Sequence, residues 1–239
     1  MIDIRNVRKK LGGKMVLDGV FLHVARGETV VIMGRSGEGK SVLLKHIIGL
    51  IKPDEGSVFI DGVDITALRE NELNDIRKRF GMLFQAAALF DYMTVFENVG
   101  FAYMEHTRLC AEDIRSLVRE KLEMVDLREI EEVKPAELSG GMKKRVGLAR
   151  AIAMNPEILL YDEPTTGLDP ITGKTIDNLI VRLKKKLQTT GVAVTHDIKS
   201  AFRIADRIAF LNRGKIVGVF RPDEIQNAEE EIVKEFLSQ

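Results

Sequence analysis

The chain has 239 residues, with 36 basic and 36 acidic side chains and a formal charge of zero; that length can bury a full α/β core, as one large domain or a domain with an inserted lobe, and the balanced charge leaves no electrostatic case for nucleic acid as a main partner. A single cysteine, Cys110, excludes an intramolecular disulfide and fits a reducing compartment, where it is expected to be a packing residue. No apolar run approaches the roughly 18 residues that a membrane span requires, and Met1-Ile2-Asp3-Ile4-Arg5 lacks the apolar segment of a signal peptide, so the expectation is a soluble, cytoplasmic protein that can still dock on a membrane protein.

Residues 2–32 read as strands, with Ile2, Ile4 and Val7 alternating, and Val20, Leu22 and Val24 alternating after them. The last of these, Thr29-Val30-Val31-Ile32-Met33, runs into Gly34-Arg35-Ser36-Gly37-Glu38-Gly39-Lys40-Ser41, and an apolar helix pattern follows from Val42 to Ile48. Strand, glycine loop and helix form the context in which G-x-x-x-x-G-K-[ST] is a phosphate site. Glycines let backbone N–H groups curl around an anion, and the helix N-terminus adds partial positive charge. Lys40 would reach the β- and γ-phosphates of a nucleotide, and the Ser41 hydroxyl would hold Mg²⁺. A glycine turn feeding an ordinary helix is the plain alternative; eight matching positions with both flanks correct favour the nucleotide.

Farther along, Ser57–Ile60 is a short strand between turns, 70–79 a charged helix, and Phe80–Phe84 a strand ending at Gln85. Gln85 could touch Mg²⁺ or an attacking water. From about 93 to 154 the pattern is helical, with Ile114, Leu117, Val118, Leu122 and Val125 on one face. Leu138-Ser139-Gly140-Gly141 precedes a helix expected from about Met142 to Met154, with Ser139 as its cap and the glycines baring amides for a second anion. After Asn155-Pro156, strands at 157–162, 191–195, 206–212 and 214–220 alternate with helices at 171–188 and 198–205, which implies a mainly parallel sheet. Ile158-Leu159-Leu160-Tyr161 reads as a strand buried on both faces that delivers Asp162 and Glu163 to the ligand edge. Asp162 would hold Mg²⁺ and Glu163 would deprotonate the attacking water. His196, after another strand, could hydrogen-bond a γ-phosphate. His23, His46 and His106 have no partner pattern.

These motifs, in this order, closely resemble the ATPase subunit of ABC transporters over about residues 1–222. Gly34–Ser41 is similar to the family's Walker A motif, Gln85 to the Q-loop, Leu138–Gly141 to the ABC signature, Asp162 with Glu163 to Walker B, Leu168-Asp169 to the D-loop and His196 to the switch histidine. The resemblance implies an α/β fold: a P-loop NTPase (RecA-like) core over 1–86 and 155–222, an antiparallel β subdomain, an inserted α-helical subdomain over 87–154, and a short acidic C-terminal helix over 223–239. It implies ATP and Mg²⁺ as cofactors and a head-to-tail homodimer, in which Ser139, Gly140 and Gly141 meet the γ-phosphate held by the partner's Lys40. Lys40, Glu163 and His196 carry catalysis in this reading. Gly34–Val42, Leu11 and Ser139–Gly141 hold the nucleotide, and Ser41, Gln85 and Asp162 hold the metal.

A narrower resemblance rests on Met142 after the signature glycines, Val42 after Ser41, the segment Phe84–Val99, Glu105-His106-Thr107 and Asp169-Pro170-Ile171-Thr172. These look like the ATPase of Mla/MCE-type phospholipid transporters. The partners implied are a membrane permease, an MCE lipid-binding protein and a small regulatory subunit, with the chain peripheral on the cytoplasmic face of the inner membrane and no direct contact with nucleic acid. The apolar stretch 86–95 is the expected permease side. Two alternatives stand beside it: an ABC ATPase of another transport system or one acting on nucleic acid or ribosomes, and a module that uses ATP only as a dimerisation switch. Three departures from the family pattern bear on the site. Leu11 stands where an adenine-stacking aromatic is usual, Glu38 places an acid inside the phosphate loop and must turn away from a triphosphate, and the tail past Pro222 is short.

Overall fold

The computed structural model describes residues 1–225 and 233–234. In chain order its elements are β1 (Ile2–Leu11), β2 (Lys14–Val24), β3 (Thr29–Met33), α1 (Lys40–Ile47), β4 (Glu55–Ile60), β5 (Val63–Asp64), α2 (Glu70–Arg77), β6 (Phe80–Leu83), α3 (Val95–His106), α4 (Ala111–Met124), a 3-10 turn (Pro135–Glu137), α5 (Gly140–Ala151), β7 (Ile158–Asp162), α6 (Pro170–Leu187), β8 (Thr190–Thr195), α7 (Ile198–Ile204), β9 (Arg207–Asn212) and β10 (Lys215–Phe220). They fall into two units, Met1–Arg77 with the described residues from Thr190 onward, and Lys78–Thr189.

In the first unit β1 pairs antiparallel with β2 and β4, and β4 with β5, giving the sheet order β2-β1-β4-β5. Ile2 and Ile4 on β1, with Val20, Leu22 and Val24 on β2, are buried on the face their alternation marks, and Val7 joins it out of phase because the register shifts between Ile4 and Val7, where Asn6 is left-handed. A second set of strands is built around β3, which is parallel to both β8 and β9, with β10 antiparallel on β9. All five residues of β3 and all six of β8 are buried. A strand covered on both faces needs such a run, and α1 and α7 supply part of the cover.

In the second unit β6 and β7 run parallel, from Phe80 opposite Ile158 to Leu83 opposite Tyr161. The regular elements between them are all helical: α3, α4, the 3-10 turn and α5. A reciprocal cap starts α3: Thr94 N–H donates to Glu97 Oε2 (2.7 Å), and Glu97 N–H donates to Thr94 Oγ1 (3.2 Å). Ile114, Val118, Leu122 and Val125 are buried, and α3, α4 and α5 pack on one another. Asp169 caps α6 by accepting the N–H groups of Ile171 and Thr172 (both 3.0 Å), Pro170 takes the first helical position, and Lys184, Lys185 and Lys186 lie in the last turn.

Three local expectations change. α5 starts two residues before Met142 and stops at Ala151, because Ser139 is its cap and Ile152 already leaves helical geometry. Cys110 is exposed and makes no packing contribution: the chain is extended as it enters α4, and its Sγ donates to Asp113 Oδ2 at 3.2 Å. Residues 222–224 form a turn, and the helix expected over 223–239 otherwise lies almost wholly outside the described residues. Among the described residues no helix is long and apolar enough to cross a membrane.

Candidate functional site

The glycine loop leaves the carboxyl end of β3 and enters α1. Gly37 (φ 83°) and Gly39 (φ 97°) are left-handed, a backbone region that side chains with a Cβ rarely adopt. At Gly39 a Cβ would stand 2.9 Å from both Cγ1 and the carbonyl oxygen of Val16, so the β1–β2 hairpin closes directly on the loop. α1 thus begins at a residue with no side chain to cap its first amides, the kind of helix start that suits an anion. Lys40 is buried, and its Nζ donates to the carbonyls of Gly34 (2.8 Å) and Arg35 (3.1 Å). The ammonium therefore lies across the loop. Arg35, Ser36 and Gly37 are exposed, while Ser41 and Val42 are half-buried in the first turn of α1. Glu38 turns its carboxylate to the backbone N–H of Arg213, in the β9–β10 turn. Met33 lies opposite Thr195 on β8, so Gly34 and the exposed His196 leave the sheet at one edge. Leu11 ends β1, 41% exposed, in the hairpin that carries Val16.

In the second unit Leu83 lies opposite Tyr161, so Gln85, Asp162 and Glu163 also emerge together, at the carboxyl end of parallel strands. Tyr161 is fully buried, and burial pushes its phenol far above the usual range. Glu163 is buried with φ 47°, a left-handed backbone uncommon outside glycine and asparagine. Its Oε2 accepts from Thr166 Oγ1 at 2.9 Å, and its carbonyl accepts from Lys144 Nζ at 3.0 Å. Desolvation pushes the buried Lys144 ammonium down to about 8, against the opposing pull of Asp162 and Glu163.

The Leu138–Gly141 turn differs in construction. Ser139 caps α5 by accepting the Met142 N–H at 3.3 Å. Neither Gly140 nor Gly141 has a positive φ. Gly141 is needed for close approach, because a Cβ there would stand 2.6 Å from Thr172 Cγ2 on α6. Farther along α5, Arg150 donates at 2.7 Å to the carbonyls of both Ala87 and Ala88, which are left-handed at φ 59° and 48°. Buried Asn98 accepts the Phe90 N–H (2.8 Å) and donates to the carbonyls of Phe90 (3.1 Å) and Thr94 (3.0 Å). Within this braced segment Phe90 and Tyr92 are exposed, Tyr92 by 73%, while Ala87 and Val95 are buried. The apolar stretch 86–95 thus divides between surface and core.

The predicted residues gather as three groups: Leu11, Gly34–Val42 and His196 in the first unit; Gln85, Asp162 and Glu163 at one strand edge of the second; and Ser139–Gly141 beside Thr172. Ser41 in the first unit carries a hydroxyl, and Gln85 and Asp162 in the second carry amide and carboxylate oxygens, each the hard donor type that Mg²⁺ takes. Sequence reasoning missed Val16, Arg213, Lys144 and Arg150. For Lys144 a signal existed: Gly141, Lys144, Leu148 and Ala151 recur every three or four residues and all are buried, so a lysine occupies an apolar helical position.

The family described as "ABC transporter" matches residues 17–166. The "Intermembrane phospholipid transport system ATP-binding protein MlaF" of Haemophilus influenzae is 41% identical over 99% of this chain and 90% of its own length. The "Probable ribonucleotide transport ATP-binding protein mkl" of Mycobacterium leprae is 40% identical over 99% of this chain and 68% of its own length. Among solved structures, the dimeric post-hydrolysis state of the ATP-binding cassette MJ0796 bound to ADP and Pi aligns with a TM-score of 0.85 and 39% identity, covering 93% of this chain and 99% of that one.

Proposed function

The chain belongs to the ABC transporter family, and on that premise we propose that it is the ATP-hydrolysing subunit of a transporter that moves phospholipid through a membrane permease. The observation that carries the cargo is the 41% identity to the phospholipid-transport ATPase along nearly the full length of both chains. A ribonucleotide cargo is the second reading, favoured by the 40% identity to the mycobacterial relative, of which this chain spans a smaller share.

In this reading the amides of Gly34–Ser41 and the Lys40 ammonium hold the phosphates, with Arg35, Ser36, Glu38 and Val42 contributing backbone, and Leu11 lies against the base. Ser41, Asp162 and Gln85 would hold Mg²⁺, which supplies charge neutralisation at the phosphates when bound. Glu163 accepts the proton of the attacking water, and its buried, left-handed setting supports that role by fixing where the carboxylate starts. His196 contacts the γ-phosphate. Ser139, Gly140 and Gly141 serve the ATP of a second copy in a head-to-tail dimer, and the exposure of Ser139 and Gly140 at the start of α5 supports this. Phe84, Phe90 and Tyr92, exposed on a segment braced by Asn98 and Arg150, face the permease. An MCE lipid-binding protein and a small regulatory subunit complete the assembly, with this chain on the cytoplasmic face of the inner membrane.

Glu163→Gln tests the chemistry. ATP turnover is expected to fall on the order of 10²-fold or more with ATP affinity retained. Unchanged turnover would refute the assignment of the base. Purifying that variant with its permease and identifying the co-purified small molecules by mass spectrometry tests the cargo: phospholipid supports the first reading, ribonucleotide the second.

A further inference from the structure

Lys144 is an ammonium buried to 4% exposure in the second turn of α5. A buried charge is expensive unless it is paired and hydrogen-bonded. Here it donates to the carbonyl of Glu163 at 3.0 Å, and the charges of Asp162 and Glu163 favour its protonated form. The carbonyl it grips belongs to a non-glycine residue in left-handed conformation, which persists only where surrounding contacts over-determine it. The helix is seated tightly beyond that point. At Gly147 a Cβ would stand 3.0 Å from Leu83 Cδ1 and 3.1 Å from Ala87 Cβ, and Arg150 holds the carbonyls of Ala87 and Ala88. Lys144 thus ties the second turn of α5 to the backbone of Glu163.

We propose that Lys144 is a positioning residue through which nucleotide at one ATP site of the dimer sets the geometry of the hydrolytic base at the other. This rests on the reading above, in which Ser139–Gly141 meet the partner's ATP while Glu163 of the same chain serves its own. One helix then touches one site with its first turn and holds the base of the second site with its next turn. Occupancy of the partner site draws in the α5 N-terminus, Lys144 carries the displacement to the Glu163 backbone, and the two sites fire together.

The test measures steady-state ATPase rate against ATP concentration for the full-length chain, with nucleotide affinity measured separately by a fluorescent ATP analogue. The wild type is expected to be cooperative, with a Hill coefficient approaching the two-site limit. Lys144→Met is expected to bring the coefficient to near 1 and lower kcat about tenfold while nucleotide affinity stays within about twofold, and Lys144→Arg to restore cooperativity. If Lys144→Met does not fold, Lys144→Leu, which likewise removes the donor to the Glu163 carbonyl, is read in the same way. A wild-type coefficient of 1, or variants with the wild-type coefficient, overturns the proposal. Glu163→Gln run alongside separates the failures. If it turns over ATP normally, the reading of Glu163 falls; if it is inert while Lys144→Met stays cooperative, only the coupling role falls.

Discussion

Two helices of this protein begin at glycine turns, yet they use glycine for opposite reasons. Entering α1, Gly37 and Gly39 are there for their backbone angles, with φ of 83° and 97°. Entering α5, Gly140 and Gly141 have ordinary backbones, and Gly141 is there because α6 comes within 2.6 Å of where its Cβ would be. Around the first turn Lys40 from α1 lies across the loop, its Nζ on the carbonyls of Gly34 and Arg35, the arrangement we propose as a phosphate cradle. The second is an ordinary serine-capped start with Gly141 buried against α6, and we propose it as half of a site that a second copy completes. A loop that encloses an anion needs unusual dihedrals, whereas a surface that completes another molecule's site needs only clearance. The helices also differ in the basic group each buries. Besides Lys40, α1 buries His46, whose Nδ1 donates to the Val42 carbonyl at 2.7 Å while Nε2 has no partner. α5 buries Lys144 with its partner carbonyl in place.

The largest effect separating the two turns is expected from Gly39→Ala. The new methyl must adopt φ near 97° and press on Val16, so ATP affinity is expected to fall more than 100-fold and stability by about 2 kcal/mol or more, read by nucleotide titration and denaturant melts. Retained ATP binding would break the claim that this turn depends on left-handed backbone. Gly141→Ala is expected to do less. Its Cβ meets only the methyl of Thr172, so stability drops by about 1 kcal/mol and ATP binding to the single chain persists, while ATP-driven dimerisation by light scattering weakens about tenfold. Equal loss of nucleotide binding in both variants would erase the distinction.

The smallest effect is a pH dependence. Burial lowers the His46 pKa below its ordinary 6.5, opposed by its bond to the Val42 carbonyl; Lys9 nearby also lowers it, and Asp54 raises it. The unfolded chain therefore binds the proton more tightly. Stability from this group is complete above about pH 6.5 and is lost as pH falls through the lowered folded value. His46→Phe is expected to lose less thermal stability than the wild type between pH 7 and 5.5. Parallel Tm curves would contradict a neutral, buried imidazole.

Several elements were legible from local pattern alone. β3 and β7 show as apolar runs, α4 as a 3.6-residue stripe, and the two glycine turns by their neighbours in the chain. Nothing local marks the approach of Val16 to Gly39, the Arg213 N–H that receives Glu38, or the grip of Arg150 on two left-handed alanines some 60 residues away. Cys110 shows the same limit in reverse, since an apolar-looking residue sits on the surface when the chain turns extended before a helix.

The sequence by itself determined the chemistry available: a lysine and serine after a glycine loop, two carboxylates at a strand end, a histidine after another. Those depend on residue type and short spacing, which propensity and sterics translate directly into strand, turn and helix. Only tertiary structure decided how each group is held. Glu38 drawn to Arg213 and the Glu163 carbonyl gripped by a buried lysine arise from packing between separate segments, while Lys40 folds back on the carbonyls of its own loop. Burial sets the cost of each charge there, and the partner that offsets the cost comes from another element.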